Sequence, residues 1–447
     1  MPENIDTIAA IATPPGRGGI GVIRVSGKRC KEIFKALTGH FPKPRLAQYV
    51  SFKSSLNKTI DKGIALYFEA PSSYTGEDVM ECHAHGSRIV LGMLLDEIIS
   101  LGARTALPGE FTERAFLNNK IDLVQAEAIT DLIDSNSKKA ARCAMQSLEG
   151  VFSNNIMQLR DYIFDARTLL EAALDFPDED DVLVNIEPAF ENIRVSLAML
   201  DELLHKAEAG RVLGQNPSVV IVGSPNVGKS CIINYLSGID SAIVSTLPGT
   251  TRDIIREKVL LGDYAITLVD TAGIRETNDE IEKEGVERAF KALAHADLVL
   301  YVLDHSLEQI IEQDVLDNYL SPGARVIIVR NKIDLCNKCT YENTDNDVYV
   351  SAITGTGMDT LVDKICLNLD ISGNEEDLIF ARQRHIDALN LVRSHLQRVL
   401  SDVDKSVGLE VLAESLRLSL SGFDEITGKT TTDDILGNVF SRFCIGK

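Results

Sequence analysis

The segment Gly223-Ser224-Pro225-Asn226-Val227-Gly228-Lys229-Ser230 constrains this chain more than any other. Two glycines with four residues between them, followed by Lys-Ser, make a phosphate-binding loop only between a buried strand and a helix. The flanks supply that setting. Ser218 to Val222 is a short β-branched apolar run, and Cys231 to Leu236 continues with helical periodicity. In such a loop the backbone N–H groups and the helix N-terminus converge on phosphate. Lys229 is then placed to reach the outer phosphates, and the Ser230 hydroxyl to ligate Mg²⁺. A chance glycine turn would also fit an isolated match, but three further signals lie downstream.

Asp270-Thr271-Ala272-Gly273 closes an apolar run, where a carboxylate can hold Mg²⁺ through water and the Gly273 N–H can sense a terminal phosphate. Asn331-Lys332-Ile333-Asp334 follows a later apolar run. The Asp334 carboxylate can accept from both N1–H and the exocyclic amine of guanine, a pair of donors that adenine lacks. Ser351-Ala352-Ile353, after the next strand, can bring a backbone N–H to the guanine carbonyl. The stretch Gly249-Thr250-Thr251-Arg252-Asp253 lies between the loop and Asp270, and Thr251 offers a second hydroxyl to Mg²⁺. These elements in this order imply a GTP-hydrolysing domain. One position departs from the usual pattern. The residue after Gly273, where many GTPases orient water with glutamine, is Ile274. Another group must position the water, and Arg275, Glu276, Glu280, Glu282 and Glu284 are the nearby candidates.

At 447 residues the chain has room for roughly two to four domains. Its apolar runs fall far short of the ~18 residues a membrane span needs. The start Met1-Pro2-Glu3-Asn4 lacks the basic-then-apolar character of a signal peptide, and eight scattered cysteines fit reduced thiols. A soluble, cytoplasmic protein without membrane contact is expected. The net charge is −21, yet residues 1–62 hold eleven Lys/Arg against four Asp/Glu, a local +7. So acidic a chain is poorly suited to bind nucleic acid by itself, because phosphate contacts supply most non-specific affinity.

Taken in order, residues 1–118 read as an α/β domain, with Ile20–Val25 and Ile64–Phe68 strand-like. Thr13 to Gly19 is a turn-rich loop that fits either an anion site or a plain connection. Cys82, His83 and His85 resemble metal ligands, but strand spacing leaves only two of them on one face. Residues 119–214 turn helical, with a stripe of Ile121, Val124, Ala128, Ile129, Leu132 and Ile133 and a similar one from Ile156 to Leu174. Five carboxylates between Asp175 and Asp181 read as a solvated turn. A further helix is expected from Pro188 to Ala209, ending near Gly210. Residues 215–371 alternate strand and helix, as in a doubly wound, mainly parallel sheet. Residues 372–447 return to helical stripes and end in Phe443-Cys444-Ile445-Gly446-Lys447, which is not a prenylation box. The fold class expected is multidomain α/β and α, with a discontinuous helical domain interrupted by a P-loop GTPase domain.

The residues also carry a resemblance. Ala12–Ser26, Tyr74–Glu81, Pro108–Lys120, the GTPase motifs and Phe443–Lys447 resemble the MnmE/TrmE-type tRNA-modification GTPases over essentially the full length. The resemblance implies an N-terminal tetrahydrofolate-binding domain that also dimerises, and a GTPase domain that dimerises across its nucleotide face with K⁺. By similarity, a 5-formyl- or 5,10-methylene-tetrahydrofolate contacts Arg24, Glu81, Lys120 and Lys447. K⁺ falls on Asn226, Ser245, Leu247 and Thr250, and Mg²⁺ on Ser230 and Thr251. The nucleotide is expected along Asn226 to Cys231, Ser245-Thr246-Leu247-Pro248-Gly249-Thr250-Thr251, Asp270 to Gly273, Asn331, Lys332, Asp334 and Ser351 to Ile353. Catalysis falls on Lys229 and Glu282, the latter matching the water-orienting glutamate that answers Ile274, and on Cys444 near the folate. Cys231 and Pro248 are variations on the pattern, and Cys336-Asn337-Lys338-Cys339 has no counterpart in it.

The activity implied is that of a homodimer joined to a flavin-dependent partner, MnmG (GidA), in a heterotetramer. This complex adds a carboxymethylaminomethyl or aminomethyl group to C5 of the wobble uridine in certain tRNAs, with a folate one-carbon unit. Two other classes remain open: a GTP-switched RNA or ribosome assembly factor without modification activity, and a GTP-controlled folate sensor. An assembly factor would be expected to carry a KH-like module, and the helical C-terminal segment lacks its Gly-x-x-Gly loop. From the charge distribution, the isolated chain is expected to bind tRNA weakly. A salt titration of tRNA binding checks this, and tight binding that barely responds to salt would contradict it.

Overall fold

The computed structural model describes residues 6–175, 186–214, 217–238, 256–261, 264–270, 293, 296–307, 325–336, 344, 346–369, 379–403, 408–429, 433–441, 443 and 446. The chain divides into two compact units, one of Met1–Thr130, Ile156–Arg160 and Arg417–Lys447, the other of Asp131–Asn155 and Asp161–Leu416.

In the first unit six strands form one sheet: β1 (Ile8–Ile11), β2 (Gly18–Ser26), β3 (Gln48–Lys53), β4 (Thr59–Phe68), β5 (Val79–Gly86) and β6 (Arg104–Thr105). Their order is β3-β4-β5-β2-β1-β6. All neighbours run antiparallel except β1 and β6. Alternation decides the faces. Ile23, Val25, Ala65, Tyr67, Met80 and Cys82 are buried with Ile33, Phe34 and Leu37 of the helix Cys30–Thr38 and with Leu91, Leu94 and Ile98 of the helix Arg88–Ser100. Arg24, Glu81 and His83 alternate with those core residues and take the other face. The strand thus separates the Cys82 thiol, in the core, from the two imidazoles of His83 and His85.

The helix Glu110–Leu117 and the start of the helix Leu123–Asp134 form a second apolar cluster with the helix Asp433–Phe440. Leu123, Ala126, Val439, Phe440 and Phe443 are its buried members. Close approach requires glycine at 109, whose φ is +69° and whose Cβ would lie 2.6 Å from the Phe440 carbonyl oxygen. Further along, Gly446 abuts the Ile11 carbonyl of β1.

A buried cation joins these layers. Arg114 is 1% exposed, and its guanidinium donates to Asp6 (2.9 Å), Glu110 (2.9 Å) and Glu77 (3.1 Å). Arg104 pairs with Asp6 and Glu110 from the other side. Burial alone would raise the Glu110 carboxyl, but hydrogen bonds from Arg104, the Leu107 N–H and Arg114 outweigh it and hold the group below the usual carboxylate range.

The second unit holds β7 (Ser218–Val222), β8 (Arg256–Leu261), β9 (Tyr264–Asp270), β10 (Leu298–Asp304), β11 (Arg325–Asn331) and β12 (Asp347–Tyr349), in the order β12-β11-β10-β7-β9-β8. All pairs are parallel except β8 with β9. All seven residues of β10 are buried because both faces are covered. Leu298, Leu300 and Val302 join Ile232 and Leu236 of the helix Lys229–Gly238 and Leu361 and Ile365 of the helix Met358–Asn368, while Val299, Tyr301 and Leu303 face a separate cluster. The antiparallel edge strand β8 has no apolar run to announce it, since it opens Arg256-Glu257-Lys258.

The helix expected to end near Gly210 instead spans Glu187–Gly214. Gly210 is not a stop. A Cβ there would collide with the Ile379 carbonyl, so glycine serves a close backbone contact within the helix. The helix Gln383–Val403 packs alongside and buries a stripe of Ile386, Leu389, Val392, Leu396 and Val399. Among the described residues no helix is long and apolar enough to cross a membrane.

Removing the buried cation while keeping its bulk, as in Arg114→Met, leaves Glu110 and Glu77 short of a partner and is expected to lower stability by roughly 3–5 kcal/mol. Urea unfolding checks this. Because the folded Glu110 value is depressed, its contribution is present above the ordinary glutamate range and is lost as pH falls through the folded value. The loss of stability on acidification should therefore be shallower in Arg114→Met.

Candidate functional site

An open parallel sheet collects ligands at the carboxyl ends of its strands. Here those ends are Val222, Asp270, Asp304, Asn331 and Tyr349. The loop after β7 turns through positive φ at Gly223 (+149°), Asn226 (+66°) and Gly228 (+97°). Such left-handed residues let successive N–H groups form an anion-binding concavity. Lys229 is buried, and its ammonium donates to the loop's own Gly223 and Ser224 carbonyls at 2.7 and 3.0 Å. Val227 is buried, while Asn226, Ser230 and Cys231 are exposed.

Asn331 ties this loop to the segment that starts at Ser351. It is 3% exposed. Its amide N–H donates to the Val227 carbonyl at 2.8 Å, and its side-chain oxygen accepts from the Ala352 N–H at 3.1 Å. Any Cβ on Gly228 would collide with that amide, which fixes glycine there. One turn on, the exposed Asp334 accepts from the Ser351 hydroxyl at 2.6 Å, and Ser351 Oγ accepts from the Thr354 N–H at 3.2 Å. Ala352 is half-buried and Ile353 is exposed. A carboxylate, an ordered turn and a phosphate-type loop thus meet at one sheet edge.

Sequence reasoning missed Asp304. It closes β10 directly opposite Asn331 in the β10–β11 register and is 5% exposed. Its Oδ2 accepts from Lys332 Nζ at 2.7 Å, and its Oδ1 from the Ser306 N–H and hydroxyl at 2.9 and 2.6 Å. Burial would raise this carboxyl, but the Lys332 and Ser306 hydrogen bonds hold it below the usual range. Lys332 itself sits at φ +68°, so the ion pair pins a left-handed residue two positions before Asp334. The available signal was a carboxylate ending an otherwise apolar strand.

Asp270 ends β9 beside Ile221, one residue from the end of β7. The hairpin of β8 and β9 lies in sequence between Thr251 and Thr271. At its turn end Tyr264 accepts a 2.5 Å hydrogen bond from the buried Lys139, whose ammonium also lies 4.7 Å from the ring centroid. Ser245 to Thr251, Thr271 to Gly273, Glu282, Cys444 and Lys447 lie outside the described residues.

In the first unit Arg24 and Glu81 face each other across β2 and β5. Arg24 Nε donates to Glu81 Oε1 at 3.0 Å, and Nη2 lies 2.9 Å from the same oxygen in the ion pair. The guanidinium lies 5.2 Å from the Tyr74 ring centroid and 5.9 Å from that of Phe111. Lys120 lies on the loop side, its stem near Gly76, two residues beyond Tyr74.

Asn331→Ala would leave the Val227 carbonyl and the Ala352 N–H unpartnered, at about 1–3 kcal/mol for each group. Dissociation of a fluorescent GDP analogue is expected to accelerate at least tenfold, and a wild-type off-rate would contradict the bridging role.

Comparison with known proteins bears on the whole chain. Residues 7–120 match the family described as GTP-binding protein TrmE N-terminus, and residues 123–444 match the MnmE helical domain. The chain is 43% identical over 453 residues to a tRNA modification GTPase MnmE of Pectobacterium carotovorum, covering 100% of both chains. It is 44% identical over 449 residues to a protein of the same name from Aromatoleum aromaticum, covering 100% of this chain and 99% of that one. Among solved structures, that of an Aquifex aeolicus Era variant bound to GDP·AlF4⁻ is 27% identical, covering 40% of this chain and 66% of that one at a TM-score of 0.28. With relatives matched from end to end and a sheet edge shaped for a guanine nucleotide, the chain belongs to the MnmE family of tRNA modification GTPases.

Proposed function

We propose that this chain is the GTP-hydrolysing component of a tRNA-modifying complex. With a flavin-dependent MnmG-type partner, the complex adds a carboxymethylaminomethyl or aminomethyl group to C5 of the wobble uridine of certain tRNAs. The one-carbon unit comes from a tetrahydrofolate derivative. The observation that carries the GTPase part is the Asn331 bridge, which sets the Gly223–Ser230 loop against the Asp334 and Ser351 segment.

At the nucleotide, Lys229 supplies positive charge beside the loop, and Asp334 accepts from the guanine edge. The Ser230 hydroxyl is exposed at the start of the helix Lys229–Gly238, and with Thr251 it forms a hard oxygen pair suited to Mg²⁺. Asn226, Ser245, Leu247 and Thr250 offer the oxygens for K⁺. A K⁺ held by those oxygens would supply positive charge beside the phosphates, where other GTPases use an arginine finger. Ile274 cannot orient water, and Glu282, which matches the family's water-orienting glutamate, takes that role.

In the first unit, Arg24, Glu81, Lys120 and Lys447 hold the folate. A cation and a carboxylate flanked by the Tyr74 and Phe111 rings fit a flat heterocycle with a charged tail. Cys444 takes a chemical role beside it, as a thiolate assisting one-carbon transfer. Dimerisation through residues 1–118, a helical domain of 119–214 and 372–447 interrupted by the GTPase domain of 215–371, and a cytoplasmic heterotetramer complete the proposal.

Nucleoside analysis of bulk tRNA from a deletion strain tests the function. Loss of the modified wobble nucleoside, restored by the wild-type gene, is the expected result, and an unchanged nucleoside would favour an assembly factor. For hydrolysis, Glu282→Ala is expected to lower turnover by roughly 10²-fold or more while nucleotide affinity barely changes. Replacing K⁺ by Na⁺ should slow the same step, so a full rate in sodium buffer would remove the potassium assignment.

A further inference from the structure

Building on the reading of Asp334 as the guanine acceptor, we infer that Asp304 is a positioning residue that sets how strongly the site prefers guanine. Asp304 ends β10 at the carboxyl edge of the sheet, yet it is only 5% exposed. Three donors reach it from the loops of that edge. Its Oδ2 accepts from Lys332 Nζ at 2.7 Å, and its Oδ1 accepts from the N–H and the hydroxyl of Ser306 at 2.9 and 2.6 Å.

The ion pair matters because of the backbone it holds. Lys332 sits at φ +68° and ψ +35°, a left-handed conformation that a residue with a Cβ disfavours. It opens the single turn Ile333–Leu335, which carries Asp334. From the β12 side that turn is held by the Ile333 N–H, which donates to the Val350 carbonyl at 3.3 Å, and by the Ser351 hydroxyl on Asp334. From the β10 side it is held by Asp304 and by the His305 N–H, which donates to the Asn331 carbonyl at 2.8 Å. Releasing the Lys332 ammonium would let residue 332 relax toward right-handed backbone and turn Asp334 with it. The freed ammonium would also have Asp334 as a carboxylate two residues away, and a pair between them would occupy the guanine acceptor. Both effects run through Lys332.

The choice of base reads this aim directly. Guanine offers Asp334 the N1–H and the exocyclic amine, whereas hypoxanthine keeps the N1–H and lacks the amine. The preference for GDP over IDP therefore reports how well the carboxylate is presented. A residue that mattered only for folding would weaken both nucleotides alike as stability fell.

The test is equilibrium titration of the purified full chain with GDP and with IDP, alongside thermal unfolding. The wild type is expected to bind GDP at least about tenfold more tightly than IDP, the discrimination that a hydrogen bond to a charged group gives. Asp304→Asn removes the charge that holds Lys332, and should weaken GDP by about tenfold or more and narrow the preference below about threefold. In a Lys332→Met background the same change should weaken GDP by less than about twofold, because both substitutions act through one interaction. Should Asp304→Asn fail to fold, Asp304→Glu, which displaces the charge by one methylene, takes its place with the same expectations. An undiminished GDP preference in the Asp304 variant, or an equal loss of GDP affinity with and without Lys332, would overturn the positioning role. A wild-type chain that binds GDP and IDP equally would instead overturn the guanine reading of Asp334.

Discussion

One buried amide ties together two segments at the carboxyl edge of the second sheet. Asn331 sits at the end of β11 with its donor spent on the Val227 carbonyl and its acceptor on the Ala352 N–H. Neither contact is local, since the partners lie about a hundred residues before it and twenty-one after it. Backbone groups buried without partners are costly, so the loop and the turn at Ser351–Ala352 hold each other through this side chain. Asp304 extends the same logic one strand over. Its ion pair with Lys332 neutralises a buried carboxylate and fixes the turn that presents Asp334.

Much of this edge was legible in the sequence because its parts are contiguous. The loop from Gly223 to Ser230 and the Asn331 to Asp334 turn each carry their chemistry within a few residues, and the strands that lead into them announce themselves as apolar runs. What stayed hidden depends on register or on distant partners. Asp304 meets Lys332 only because β10 and β11 align Asp304 with Asn331. The strand β8 begins with charged residues and is held by pairing with β9 rather than by its own pattern. Gly210 reads locally as a helix stop, yet the helix continues because what glycine serves there is the Ile379 backbone. Arg114 was the least legible. Composition assigns arginine to the surface, and only three carboxylates brought from separate segments allow it to be buried.

The two units use a similar device for different ends. In each, a carboxylate on a sheet is oriented by neighbouring side chains rather than left to rotate. Asp334 is held by the Ser351 hydroxyl, and Glu81 by Arg24 and His83. Within the second unit the β8–β9 hairpin adds a mechanical element. Its turn end is clamped by Lys139 through Tyr264, while its other end leads in sequence to the Thr251 and Thr271 stretches.

The contact between the helix Asp433–Phe440 and the Leu123 cluster carries a consequence in time. Leu123 and Ala126 are synthesised roughly 310 residues before Val439, Phe440 and Phe443, which complete their cluster. At about 5–20 residues per second, that gap lasts roughly 15–60 s. Throughout it the apolar faces of the helices Glu110–Leu117 and Leu123–Asp134 lack the helix that covers them, the kind of surface that chaperones engage. The sheet of this unit can therefore form early, but its packing closes only when synthesis is nearly done.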